Sequence, residues 1–145
     1  MEIDVERMRA VRDASPIPIM ANEACFLPPD ALALIRAEAC DFLNIKLMKA
    51  GGILNSVRIA HLADAANMRC MVGCMLESRV ALTAAAHVVA SQGNIVYADL
   101  DGNSEHVQDP VVGGVKVEAG TMTLPETPGL GCDVEPGFLK GLRKI

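Results

Sequence analysis

Four continuous apolar runs recur along the first hundred residues at a nearly constant interval. The runs show little polar alternation, and their first residues lie 26, 27 and 25 positions apart. Strands that are buried on both faces have this composition and usually belong to parallel sheets. The pattern therefore predicts four parallel strands, at residues 16–21, 42–48, 69–76 and 94–100.

Helical periodicity precedes each apolar run. The predicted helices cover residues 4–14, 29–39, 53–66 and 79–91, which gives the order αβαβαβαβ. A strand, a crossover helix and a second parallel strand form a βαβ unit, and its repetition builds a barrel or a doubly wound sheet. We therefore assign residues 1–101 to four αβ units and residues 102–145 to an irregular, β-rich tail that is rich in Gly and Pro.

Ionisable or amide side chains follow each predicted strand. In a βα barrel the active site gathers at the carboxyl ends of the strands, so four polar strand ends on one rim indicate a site. The alternative is that these charges mark the points where the strands emerge into solvent. The residues concerned are Asn22, Glu23, Lys46, Lys49, Glu77, Asp99 and Asp101.

Lys46 differs from the other charged residues because it lies inside an apolar run. A buried lysine with a depressed pKa is a usable general base, whereas a lysine at a strand end can also extend its amine into solvent. Both interpretations remain open from the pattern. Strand alternation predicts that Lys46 shares a face with Asn44, whereas Lys49 lies on the opposite face, at the rim.

Asp99 and Asp101 lie two residues apart at the end of the fourth predicted strand, so they point the same way. Adjacent carboxylates repel each other, and a bound cation relieves that repulsion. The cation could be a metal, an ammonium group or an arginine. A solvated turn is the alternative, since Asp is common in turns.

Composition excludes several classes of partner. The chain carries a net charge of −5, has 3% aromatic residues and lacks Trp, so it offers no platform for nucleic acid. Its longest strongly apolar stretch, residues 80–90, is too short to span a membrane.

The N-terminus does not resemble a signal peptide, and the five cysteines form no CxxC pair. Free thiols in the cytoplasm are therefore expected.

Four segments resemble the C-terminal part of the enolase superfamily: PIPIMANEACF, FLNIKLMKAGGI, RCMVGCMLES and YADLD. Within the muconate-lactonizing subgroup of that superfamily, which also includes the mandelate racemase relatives, they are most similar to dipeptide epimerases of the L-Ala-D/L-Glu type. The resemblance implies the C-terminal half of a TIM barrel, with a tail that meets a capping domain. It also implies an isomerase that removes and returns the proton α to a carboxylate, with Mg²⁺ as cofactor.

The resemblance implies a role for six residues of this chain. Lys46 corresponds to the catalytic lysine of the later strand, and Asp99 and Asp101 to the pair that binds the ammonium group of a dipeptide. Cys74 and Leu76 fall where the family lines the substrate pocket. Asn22 stands where the family has a metal-binding Asp, so we expect weak or absent Mg²⁺ binding.

The resemblance covers the later half of the barrel. It implies that the second catalytic lysine and two metal carboxylates belong to strands upstream of Met1, so we expect little activity without a complementary N-terminal half. One alternative is a non-catalytic half barrel that forms homo-oligomers through exposed sheet edges. Another is part of a muconate cycloisomerase or an o-succinylbenzoate synthase, although the sequence Asp99-Leu100-Asp101 favours dipeptides.

Overall fold

The computed structural model describes residues 4–104 and 106–142 of the chain. Four parallel strands form one sheet in the order β1-β2-β3-β4. The sequence order and the spatial order agree, which confirms the predicted α/β fold with its parallel sheet. The strands are β1 (Met20–Ala21), β2 (Phe42–Ile45), β3 (Arg69–Gly73) and β4 (Ile95–Asp99).

Helices connect these strands. Asp4 caps the first helix by accepting a hydrogen bond from the backbone N–H of Arg7 at 3.0 Å, and Pro28 lies in the first turn of the second, where a missing N–H is tolerated. The helices in this region are α1 (Val5–Ala14), α2 (Pro28–Arg36), α3 (Leu47–Ala50), α4 (Ile53–Ala65) and α5 (Arg79–Ser91).

The hydrophobic core lies between the sheet and the helices. Its largest side chains are fully buried, and burying each large aliphatic side chain stabilises the fold by ~1.5–3 kcal/mol. They come from α2, β2, α4, β3 and α5, so they join the second, third and fourth αβ units. These side chains include Leu34, Leu43, Ile45, Ile59, Val72 and Leu82.

The second strand is shorter than predicted. It ends at Ile45, whereas the sequence predicted a strand to residue 48, and the remaining apolar residues form α3. Leu47 and Ala50 are both buried at helical spacing, and a short apolar run does not distinguish that spacing from a strand. Gly51, with a φ of 76°, ends the short helix in a left-handed conformation that suits glycine.

The first strand also forms only at the end of its predicted run. Pro16 and Pro18 lack the backbone N–H that a strand pair needs, and pairing with β2 begins at Met20. The third strand ends at Gly73 rather than at residue 76. The earlier ends of β2 and β3 leave Lys46 and residues 74–76 outside the strands, at the carboxyl edge of the sheet.

The tail forms two small antiparallel pairs, β5 with β8 and β6 with β7. Arg79 at the start of α5 anchors it, donating to the carboxylate of Asp109 and to the backbone carbonyls of Val111 and Gly113. The division of the chain at residue 101 stays a prediction, and its end points, residues 1 and 145, lie outside the described residues. The tail elements are β5 (Val111–Gly113), β6 (Lys116–Glu118), β7 (Thr121–Thr123), β8 (Cys132–Val134) and α6 (Pro136–Gly141).

Strand β4 forms one edge of the sheet. Its burial decreases sharply after Ile95, and Val96 and Tyr97 are 42% and 52% exposed. Within the described ranges, no helix is both long enough and apolar enough to cross a membrane.

Candidate active site

Two lysines converge on one glutamate at the carboxyl ends of β1 and β2. Lys46 Nζ lies 3.5 Å from Glu23 Oε1, and Lys49 Nζ lies 3.6 Å from the same oxygen. Together with Asn22, these residues form what we call the basic rim. The basic rim has one carboxylate for two ammonium groups, so it carries a surplus positive charge.

The predicted separation of the two lysines on opposite strand faces is wrong. Because β2 ends at Ile45, Lys49 belongs to α3, which turns it back toward the rim. Its Nζ donates to the backbone carbonyl of Asn22 at 2.6 Å, and its side chain is only 5% exposed. Burial lowers the pKa of Lys49, with the neighbouring Lys46 charge acting in the same direction and Glu23 opposing it.

The Lys46 side chain is 13% exposed. Its Nζ lies 3.8 Å from Met75 Sδ in addition to its contact with Glu23. An amine that extends into solvent would have a larger exposed fraction, so the structure favours a largely buried, paired lysine. Sequence reasoning overlooked Met75 as a neighbour of Lys46, and its thioether is too common a core group to signal such a contact.

Asn44 and Gly73 shape the space beside Lys46. Asn44 Nδ2 donates to Asn22 Oδ1 at 3.2 Å, while the buried Asn44 Oδ1 has no hydrogen-bond partner. A Cβ atom at Gly73 would lie 2.8 Å from Asn44 Oδ1 and 3.3 Å from Lys46 Cε. Any larger residue there would displace both side chains. A glycine inside a strand was the available signal for this close approach.

A second group of polar residues lies at the ends of β3 and β4. Cys74 Sγ donates to Asp101 Oδ1 at 3.7 Å. Burial raises the pKa of Cys74, and the negative charges of Asp101 and Asp99 add to that effect. The structure therefore brings together three predicted site residues, Cys74, Asp99 and Asp101, which we call the acidic rim.

Open space adjoins the acidic rim. Asp99 and Asp101 line a cavity of about 490 Å³, bordered by α5 and by the β6 and β7 pair. Both aspartates are exposed, and the backbone carbonyl of Asp101 accepts a turn hydrogen bond from Ser104 at 2.8 Å. Asp99 and Asp101 therefore lie at a solvated turn and also face open space where a cation could bind, so both sequence-based interpretations of the pair stay open.

Leu76 and Glu77 differ in their environment. Leu76, which the resemblance assigned to the pocket, is 68% exposed in the loop after β3. Glu77 is buried, and its carboxylate accepts a hydrogen bond from the backbone N–H of Met75 at 3.0 Å. The alternative in which strand-end charges simply face solvent is therefore wrong for Glu77, which stabilises the loop that carries Met75.

The oxygen atoms of the basic rim do not fit a divalent metal. Asn22 Oδ1 already accepts from Asn44 Nδ2 and from Lys49 Nζ, which lies 3.4 Å away. Glu23 supplies the one carboxylate, and two ammonium groups flank it. Mg²⁺ prefers carboxylate oxygens with free lone pairs. Across residues 4–104 and 106–142, no three His, Cys, Asp or Glu side chains are grouped to hold a metal.

A family model described as "Enolase C-terminal domain-like" matches residues 1–137. The chain belongs to this family. The motif-based resemblance is thereby confirmed, as is the assignment of the fold to the C-terminal domain of enolase-superfamily proteins.

Known members of the enolase family provide three comparisons. The L-Ala-D/L-Glu epimerase of Clostridium acetobutylicum is 44% identical over 130 residues, which cover 90% of this chain and 36% of the relative. The dipeptide epimerase of Cytophaga hutchinsonii, solved with Mg and the dipeptide D-Ala-L-Val, superposes with a TM-score of 0.92. It is 43% identical and covers 97% of this chain and 39% of that structure.

The third comparison is the substrate-liganded L-Ala-D/L-Glu epimerase of Bacillus subtilis. It is 40% identical with a TM-score of 0.86, and the match covers 89% of this chain and 36% of that structure. The chain thus spans little more than a third of the length of these enolase-family relatives. Their shared feature is epimerisation, and the Cytophaga structure adds Mg and a dipeptide.

Proposed function

We propose that this chain supplies the later half of the active site of a dipeptide epimerase, with Lys46 as acid and base. The observation that carries the proposal is the buried, paired Lys46 at the end of β2, beside the glycine that precedes Cys74. Homologous epimerases that align with most of the chain support this assignment. Mg is present in the structure of the Cytophaga hutchinsonii relative.

The register of the sheet suits a dipeptide. Gly73 pairs with Asp99 and lies against Lys46, so these three residues occupy neighbouring positions on successive strands. Adjacent strands are about 4.8 Å apart, so the backbones of Lys46 and Asp99 are roughly 10 Å apart. Consecutive Cα atoms of a dipeptide are about 3.8 Å apart, which leaves room for both side chains to reach it. We therefore place the carboxylate-bearing residue at Lys46 and the ammonium group at the acidic rim.

The chemistry requires a neutral Lys46 amine at the start of the reaction. Its Nζ takes the proton from the α-carbon, and the electron pair of the C–H bond moves into the carboxylate to give an enediolate. Once Lys46 has taken the proton, Lys46 and Lys49 together carry one positive charge more than Glu23, which favours the negative charge of the enediolate. A protonated Lys46 then returns a proton on the same face. Inversion needs a second acid on the opposite face, which we assign to a complementary N-terminal half.

A chimera tests this proposal. In it, this chain replaces the 138-residue matching segment of the Bacillus subtilis epimerase. The chimera is made in two versions, with Asn22 and with Asn22→Asp. Activity of the Asn22→Asp version alone would show that the proposed function is correct and that Asn22 prevents metal binding. We expect exchange of the α-proton of L-Ala-L-Glu in D₂O, followed by NMR, in at least the Asn22→Asp version, and no exchange by the 145-residue chain alone.

Lys46→Ala should strongly slow the exchange by the chimera from one of the two epimers, L-Ala-L-Glu or L-Ala-D-Glu. Lys116→Ala is the matched control, because Lys116 is an exposed lysine in β6 far along the chain from the rim. Absence of Lys46-dependent exchange from both versions would refute the proposed function. The five free cysteines are consistent with the cytoplasmic location that we also propose.

Self-association is the second candidate, and the exposed face of β4 favours it. An edge strand presents unpaired backbone groups that can pair with another chain, and Val96 and Tyr97 add exposed apolar surface. In this alternative, the half barrel forms a non-catalytic homo-oligomer. Sedimentation of the 145-residue chain should then show a dimer or a larger species, whereas a monomer would exclude it.

A further inference from the structure

The Lys49 ammonium is surrounded by oxygens of two neighbouring residues. Its Nζ lies 2.6 Å from the backbone oxygen of Asn22, 3.4 Å from Asn22 Oδ1 and 3.6 Å from Glu23 Oε1. On another side, Nζ lies 5.4 Å from the centre of the Phe26 ring, within range of a cation–π contact. The side chain is 5% exposed, so these groups replace most of its water.

These contacts use the lone pairs that a metal at Asn22 would need. A carbonyl oxygen offers two acceptor sites. Asn22 Oδ1 directs one toward Lys49 and the other toward Asn44 Nδ2, which lies 3.2 Å away. The backbone oxygen of Asn22 accepts the shortest of the Lys49 contacts.

The charges of the basic rim also oppose the binding of a divalent metal at Asn22. Glu23 supplies one negative charge, and Lys46 and Lys49 lie 3.5 and 3.6 Å from its Oε1. Asn22 is neutral, whereas the resemblance implies a negatively charged Asp at this position in the family. A divalent ion at Asn22 would therefore face two nearby positive charges with one carboxylate to offset them.

We propose that Lys49 is the resident cation of the basic rim. Its ammonium holds the oxygens of Asn22 and Glu23 in the place of a divalent ion, and Asn22 does not bind Mg²⁺. The inference rests on contacts within the chain and holds whether or not the proposed epimerase activity is correct.

Binding of Mn²⁺, a paramagnetic substitute for Mg²⁺, tests the proposal on the 145-residue chain. Electron paramagnetic resonance measures free Mn²⁺, with the Cytophaga hutchinsonii dipeptide epimerase as the positive control. We expect no saturable binding up to about 1 mM by the unaltered chain, because Lys49 already occupies the oxygens of Asn22. Binding of one Mn²⁺ that Asn22→Ala removes would overturn the proposal.

Thermal unfolding provides a second measurement. Lys49→Met removes the ammonium but keeps a long apolar side chain, and Lys46→Met is the matched control because Lys46 shares the Glu23 contact but not those to Asn22. We expect Lys49→Met to lower Tm more than Lys46→Met, and 10 mM Mg²⁺ to leave the Tm of the unaltered chain unchanged. Equal losses in the two variants would contradict the proposal. A failure of the epimerase function would appear instead as missing proton exchange in the chimera, with these binding results unaffected.

Discussion

The two halves of the sheet edge carry opposite charges and differ in burial. In the basic rim, the side chains of Lys46 and Lys49 are 13% and 5% exposed and share one carboxylate. In the acidic rim, Asp99 and Asp101 are both exposed beside a cavity. A buried charge that is held by fixed partners needs little reorganisation during a reaction, whereas exposed carboxylates can adapt to a ligand. This difference supports our proposal that the basic rim transfers the proton and the acidic rim binds the substrate.

The largest expected effect is that of Lys46→Ala, which should slow α-proton exchange from one epimer of a substrate far more than from the other. Lys46 faces one side of the α-carbon, so Lys46→Ala in the chimera should slow proton exchange from one epimer by roughly 10²–10⁴-fold. Exchange from the other epimer should decrease much less. The measurement is the loss of the α-proton signal from L-Ala-L-Glu and L-Ala-D-Glu in D₂O. Equal losses for both epimers would show that Lys46 does not act on one face.

Asp101→Asn should weaken substrate binding without removing the base. Hydrogen bonds to charged groups contribute ~1.5–3 kcal/mol, so we expect KM of the chimera to increase roughly 10- to 100-fold with a smaller change in kcat. Steady-state kinetics with L-Ala-L-Glu measures both constants. N-acetyl-L-Ala-L-Glu has no ammonium group, so its KM should be high and should be the same for the chimera with Asp101 and for Asp101→Asn. A decrease in kcat at unchanged KM would place Asp101 in the chemical step instead.

Gly73 joins the two rims, and Gly73→Ala should disturb both. Its Cβ would lie 2.8 Å from Asn44 Oδ1, and overpacking of this kind costs ~1–3 kcal/mol in the free energy of unfolding. Gly93→Ala is the control, because a Cβ at Gly93 meets no heavy atom within 4 Å. Urea unfolding of the 145-residue chain compares the two variants. Equal stabilities would mean that the space beside Gly73 is not constrained.

The smallest effect reports on the charge of the acidic rim. Asp101 contributes to the raised pKa of Cys74, so Asp101→Asn should lower that pKa and increase the thiolate fraction. We expect alkylation of Cys74 by iodoacetamide at pH 8 to become a few-fold faster. Mass spectrometry identifies the modified residue, and Glu118→Gln, at an exposed position in β6, should leave the rate unchanged. A slower reaction after Asp101→Asn would contradict the assigned proximity of the two side chains.

The regular interval of apolar runs predicted the fold because it follows the repeat of strand and helix along the chain. Burial on both faces holds for β2, whereas β4 is exposed after Ile95. The same pattern misplaced Lys49, since alternation along residues 42–48 assumed one extended strand where α3 begins at Leu47. It also overlooked Gly73, whose role depends on the approach of Asn44 and Lys46 from the neighbouring strand. Such contacts arise from strand register, which a single sequence specifies only indirectly. The motif resemblance named Lys46, Asp99 and Asp101, and their roles stay predictions.

The anchoring of the tail by Arg79 has a mechanical consequence. Arg79 begins α5, only five residues after Cys74, and its guanidinium bonds both the Asp109 side chain and the backbone of β5. A displacement of the tail therefore pulls on the first turn of α5 and, through it, on the short loop that carries Cys74 and Met75. A partner that binds the tail and displaces it would therefore also move Met75 and Cys74, which contact Lys46 and Asp101.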